Sequence, residues 1–139
     1  MTQPPVSVNS PFSFERKEGK APSTVIFHFR GPFTAREMFK SVAPVALQRL
    51  LNFQSVPDEQ MPAVNILDLT DVPYVDSQGL GMIVRHYVHC QDRHIAFFIA
   101  GASARVLDLF KITKVDGFLP LVASVEAVDT FAPSDNSSE

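Results

Sequence analysis

The sequence predicts an α/β fold, a mixed and mostly parallel β-sheet of about five strands faced by four or so helices. Three observations carry that expectation. Two strand-like segments open the chain, and after them helical-period segments alternate with apolar runs; that order builds a mostly parallel sheet joined by crossover helices. Thr24–Arg30 is β-branched and aromatic almost throughout. Ile95–Gly101 is a continuous apolar run ending in glycine, the pattern of a strand buried on both faces. No internal repeat and no second domain is indicated.

Taken in order, residues 1–11 hold three prolines among polar spacers and are expected to form a loose tail, as are residues 132–139. The folded domain is expected over 12–131. Phe12–Lys17 alternates and is the first strand. Gly19 and Pro22 turn the chain into the second strand, Thr24–Arg30, which Gly31-Pro32 stops. From Phe33 to Asn52 a helical period places Met38, Phe39, Val42, Val45, Ala46, Leu50 and Leu51 on one broad apolar stripe. Thr34, with Glu37 three residues on, has capping-box spacing. Pro44 predicts a kink or break near Ala43, because proline lacks a backbone donor and clashes with the preceding turn. A polar loop fills 54–62. Beyond the central segment described below, Ser103 caps a helix with Val106, Leu107, Leu109 and Phe110 inward. Phe118–Val122 is a short strand, and Ser124–Phe131 a last helix.

Composition narrows the function. With 139 residues, 45% hydrophobic and 19% charged, the chain is long enough to bury a core as a single soluble domain. A net charge of −3 leaves no basic footprint for nucleic acid. No run reaches the roughly 18 apolar residues that a membrane span needs, and the N-terminus lacks a secretory pattern. The single cysteine, Cys90, cannot form an internal disulfide and fits a reducing compartment, so the cytoplasm is the expected location.

The chain is organised around the stretch from Asn65 to Tyr87. Ile66, Leu67 and Leu69 read as a buried strand around Asp68, and the chain bends through Asp71-Val-Pro-Tyr74-Val75. It lands on Asp76-Ser77-Gln78-Gly79 and becomes a helix with Leu80, Ile83, Val84, Tyr87 and Val88 on one face. A hydroxyl thus sits where a strand ends and a helix begins. Open α/β sheets place their ligand sites there, since the first helical N–H groups point outward.

The string Asp68-Leu-Thr-Asp71-Val-Pro-Tyr74-Val-Asp76-Ser77-Gln78-Gly79-Leu80-Gly81 resembles the signature of STAS domains, specifically of bacterial anti-sigma factor antagonists. Gly31, Gly101, the Arg105-Val-Leu-Asp-Leu segment and Val115-Asp-Gly-Phe-Leu-Pro-Leu fall where that family has counterparts, so the likeness spans roughly 12–131. It implies a partner-switching regulator that is not itself an enzyme and needs no cofactor or metal. Its partner would be an anti-sigma factor that is also a serine kinase, and a serine phosphatase would reset it. The resemblance makes Ser77 the phosphoacceptor, with Asp76, Thr34, Asp71 and Tyr74 shaping its surroundings. Gln78, Gly79, Leu80, Gly81 and Met82 would form the docking surface, with Gly79 letting a partner's backbone approach. Both a monomer and a homodimer fit. The sequence departs from the family in offering Thr34 where many antagonists carry an aspartate, and Asp92-Arg93-His94 where the helix usually ends in glycine.

Other readings stay open. Three alternatives are an accessory subunit of a membrane lipid transporter, a sensor that binds a nucleotide or other anion at the helix N-terminus, and a member of a large stress-signalling assembly. Ser77 also suits a plain helix N-cap. A hydrolase elbow is disfavoured because Val75 stands where G-x-S-x-G needs glycine, and a dinucleotide loop because Val84 stands at the third glycine. His86, Cys90 and His94 recur every four residues; a partly exposed rim at the edge of the apolar face is the expected account, rather than a metal site. Tyr74 and Met82 are interface anchors if exposed, and otherwise Tyr74 packs under the loop.

Overall fold

A computed structural model of the chain describes residues 12–41, 44–54 and 56–130. The expected tails and Phe131 lie outside the described residues. The strands β1 (Ser13–Glu18), β2 (Thr24–Arg30), β3 (Val64–Asp71), β4 (Ala96–Ala100) and β5 (Leu121–Val122) form one sheet in sequence order. β1 runs antiparallel to β2, and the other pairs are parallel. The helices are α1 (Ala35–Ser41), α2 (Pro44–Leu51), α3 (Ser77–Asp92) and α4 (Ala104–Ile112).

This strand order explains the layering. Every parallel connection steps in the same direction across the sheet, and crossovers of one hand then place all helices on one face. The main core lies there, where Phe27, Phe29, Leu67, Leu69 and Ile99 meet Met38, Leu47, Leu51, Ile83, Val106 and Phe110. The opposite face carries a smaller cluster of Ile26, Ile66 and Ala100, against which Val64, Val122, Val125 and Val128 pack. β2 is buried along both faces except at Arg30, as its continuous apolar sequence requires.

Several expectations are corrected. The single stripe across Phe33–Asn52 does not exist. α1 ends at Ser41 and Pro44 opens α2, where its missing N–H is harmless; the kink or break expected near Ala43, and Val42, lie outside the described residues. A new helix resets the phase, so α2 buries Leu47 and Leu51, four residues apart, and exposes Val45, Ala46 and Leu50. Leu107 on α4 and Val88 on α3 are likewise exposed. The expected last helix is one 3-10 turn, Val125–Ala127, because the chain there must lie flat to cover the small second core.

A buried carboxylate fastens that cover. Asp129 accepts hydrogen bonds from the backbone N–H groups of Lys20 and Ala21, each at 2.8 Å. It thereby ties the C-terminal segment to the β1–β2 turn. Gly19 makes room, since a β-carbon there would lie 2.6 Å from Asp129 Oδ1.

His86 is not on a rim. It is fully buried, with Nε2 at 2.6 Å from Asn65 Oδ1 and Nδ1 at 3.1 Å from the Asn52 carboxamide. Burial lowers its pKa to about 3, with His89 adding a smaller effect in the same direction. The neutral ring donates from one nitrogen only. Asn65 is oriented by its Nδ2 bond to Val25 O, so Nε2 is the donor. Burial also pushes the Cys90 thiol up to about 12, which makes it an inert core group. His94 sits past the helix end at φ 59°, in the left-handed conformation that a glycine would adopt more easily. These three residues form no metal site.

Two predictions follow from these buried groups. Asp129→Ala removes two charge-assisted bonds and is expected to lower stability by about 1.5–3 kcal/mol in urea unfolding; an unchanged midpoint would refute the latch. Acid sensitivity tests His86. Its native pKa lies below the unfolded value, so the unfolded chain takes up the proton that the native ring refuses. Stability is intact above about pH 6.5 and falls as the pH drops toward 3, by up to about 1.4 kcal/mol per pH unit. His86→Gln should flatten that slope between pH 6.5 and 4 by close to one proton; identical slopes would contradict the assignment.

Candidate functional site

The site is built by two loops that continue the β2–β3 pairing past the strand ends. Gly31 N donates to Asp71 O at 3.0 Å, Phe33 N to Tyr74 O at 3.0 Å and Asp76 N to Phe33 O at 3.3 Å. Phe33 and Val75 form an isolated parallel bridge. The Phe33 ring anchors this zipper from below, fully buried, with centroids 5.2 Å from Phe12 and 4.9 Å from Phe29.

The zipper brings two helix starts together, and Asp76 joins them. Its backbone is extended at φ −99°, and its Oδ1 accepts from Gly79 N at 2.9 Å, capping α3. Its Oδ2 accepts from Ala35 N, the first residue of α1, at 3.0 Å. One carboxylate therefore satisfies an outward-pointing N–H on each of two helices, at the positive end of both. Thr34 completes the cap of α1 by accepting from Glu37 N at 3.2 Å, as its spacing with Glu37 predicts. Asp76, not Ser77, is the N-cap. That leaves Ser77 at the first helical position and exposed.

Gly79 has an internal reason to be glycine. A β-carbon there would collide with the Phe33 carbonyl oxygen and lie 2.9 Å from Val75 Cγ1. The close approach expected of a partner's backbone is made by the chain's own loop. Gly81 is different, since its β-carbon would first meet Arg85 Nη1 at 3.4 Å, an ordinary contact.

The other expected site residues divide. Gln78 is half-buried beside Ser77. Leu80 and Met82 are buried, Met82 completely, and neither presents a side chain for docking. Both follow the inward side of α3 with Ile83, His86 and Cys90. Tyr74 is half-buried beneath the Arg105 guanidinium, 4.6 Å from its ring centroid; such a contact is favourable when partly desolvated. Asp71 is turned away from the hydroxyl to His28 Nε2 at 2.8 Å, while Asp68 Oδ2 holds His28 Nδ1 at 3.0 Å.

Arg105 and His28 were not legible as site neighbours. Nothing in a strand or helix sequence says which charge will land over an aromatic ring or between two carboxylates. Among the described residues no cluster of side chains suits a metal ion, and no helix is long and apolar enough to cross a membrane.

Paired substitutions test the junction. Gly79→Ala is expected to destabilise by about 1–3 kcal/mol through overpacking. Gly81→Ala should range from neutral to about 1 kcal/mol more stable, because alanine favours a helix interior. Equal effects in thermal unfolding would show that the Phe33 loop does not pack on Gly79.

Comparison with known proteins gives this geometry a context. A family model described as STAS domain matches residues 16–128. Anti-sigma-B factor antagonists from Listeria monocytogenes and Listeria innocua are each 34% identical over 55 residues, covering 40% of this chain and 48% of theirs. The chain thus spans about half the length of the curated relatives it matches. Among solved structures, the anti-sigma factor antagonist SpoIIAA in its unphosphorylated form superposes with a TM-score of 0.60 at 14% identity, covering 84% of this chain and 94% of that one. The STAS domain of a SulP transporter from Vibrio cholerae gives 0.59 at 20% identity, covering 76% and 77%. At such identities the two structures establish the shared fold alone. The match along 16–128 is what places this chain in the STAS domain family.

Proposed function

We propose that this chain is an anti-sigma factor antagonist, a cytoplasmic binding regulator rather than an enzyme, switched off by phosphorylation of Ser77. One observation carries the reading: an exposed serine at the first position of α3 beside a capping aspartate already engaged by two helices. The names of the Listeria relatives and of SpoIIAA, the latter described in an unphosphorylated form, support it.

The chemistry fits the geometry. A partner serine kinase, itself the anti-sigma factor, transfers phosphate from ATP. The Ser77 oxygen forms the new bond to the γ-phosphorus, ADP leaves, and the hydroxyl proton passes to a base of the kinase. A serine phosphatase reverses the state by hydrolysis. The product adds about −1.5 to −2 charges next to the Asp76 carboxylate. The Ser77 and Gln78 N–H groups stand at the helix start, where an anion is stabilised by about 0.3–1 kcal/mol. The fold therefore tolerates the modification, while a partner docked on this surface meets new bulk and unpaired negative charge. The docking surface is formed by exposed Ser77 and Arg105 with half-buried Gln78, Gly81 and Tyr74, rather than by Leu80 or Met82.

A second reading is a STAS component of a membrane transporter, which the likeness to the Vibrio cholerae SulP domain favours. Affinity capture from native lysate separates the two. Wild type and Ser77→Ala should retain a kinase of the histidine-kinase-like ATPase type, and Ser77→Asp should retain about tenfold less. Equal capture of a membrane transporter by all three proteins, without such a kinase, would overturn the switch.

A further inference from the structure

A groove of about 350 Å3 opens between α2 and the N-terminal half of α3, sharing only Gln78 with the switch surface. Its walls carry Arg49 and Arg85 with four carboxamides, Gln48, Asn52, Gln54 and Gln78. No carboxylate lines it among the described residues. Arg85 is held by its Nε, which donates to Gln48 Oε1 at 3.1 Å. Gln48 is fixed in turn by its Nε2, which donates to Met82 O at 3.3 Å. Among the described residues Arg85 thereby keeps both terminal Nη groups without an acceptor, and Arg49 forms no hydrogen bond or ion pair.

Two unneutralised guanidiniums in one groove are unusual in a chain of net charge −3. Arginine forks match the planar, bidentate geometry of carboxylates and phosphates. Neutral amides around them supply further donors without competing charge. The volume lies at the lower end of the roughly 300–1,000 Å3 typical of small-molecule sites.

We infer that this groove binds a small oxyanion, a phosphate or polycarboxylate ligand, through Arg49 and Arg85. Gln78 is both a wall of the groove and the neighbour of Ser77, so an occupied groove abuts the switch surface. This goes beyond the antagonist reading and does not depend on phosphorylation.

Pyrophosphate and citrate serve as probes for the two ligand chemistries. Each is titrated into the full chain at constant ionic strength set with chloride, and followed by calorimetry and thermal unfolding. Saturable binding of at least one probe is expected, and it should weaken about tenfold or more in Arg85→Gln and in Arg49→Gln. Whichever probe saturates identifies the chemistry. Both substitutions lie on exposed side chains, and circular dichroism without probe checks that the variants fold. A Ser77→Asp protein should bind the probe too, which separates failure here from failure of the switch. No saturable binding by wild type, or undiminished binding in both arginine variants, would overturn the inference.

Discussion

The Asp76 carboxylate is the contact on which the functional end of this domain depends. Two helix starts would otherwise leave outward N–H groups beside one another, each at the positive end of a helix. A neutral residue would satisfy one of them at best. The carboxylate reaches Ala35 with one oxygen and Gly79 with the other, fixing α1 and α3 against the zipped loops. Phe33 is the mechanical counterpart. Its ring is locked among Phe12 and Phe29, and its carbonyl sits where only a glycine at 79 leaves space. The position of Ser77 follows from these constraints, since the hydroxyl makes none of the contacts that hold the junction.

This division of labour separates stability from regulation. Buried groups hold the fold: His86 between two asparagines, Asp129 under the first turn, and the unequal cores on the two sheet faces. Ser77, the proposed phosphoacceptor, is outside that network. In the proposed switch, charge added at Ser77 would act on binding directly, through repulsion and bulk, without a conformational relay across the sheet. Electrostatics at this surface is local, with Arg105 over Tyr74 on one flank and the two-arginine groove beyond Gln78 on the other.

Much of the fold was legible because the sheet is central and parallel. Unbroken apolar runs marked Thr24–Arg30 and Ile95–Gly101 as strands, although only β2 is buried along both faces; on β4 Ala96 is exposed and Phe98 half-buried. Capping chemistry was legible at Thr34 and Ser103, whose hydroxyls accept from Glu37 N and Val106 N. What escaped depended on events between segments. Pro44 is the first residue of α2, and the stripe carried across it placed Val45 and Leu50 wrongly. The single apolar face assumed for α3 missed that Met82 and His86 also point inward, because a helix over two-sided neighbours buries a wider arc. The short span at Val125–Ala127 had a helical period but only a small cluster to cover. The role of Gly79 was invisible because its partner, Phe33, is distant in sequence.

The most direct test is amide hydrogen exchange by nuclear magnetic resonance on the unmodified and the Ser77-phosphorylated protein. The Ala35 and Gly79 amides are expected to keep their protection after phosphorylation. Shift changes should stay within the loops at 33–36 and 74–81. Loss of protection at Ala35 and Gly79, or shifts spreading through β2 and β3, would show that the phosphate breaks the Asp76 junction, and that the switch works by refolding rather than at the surface.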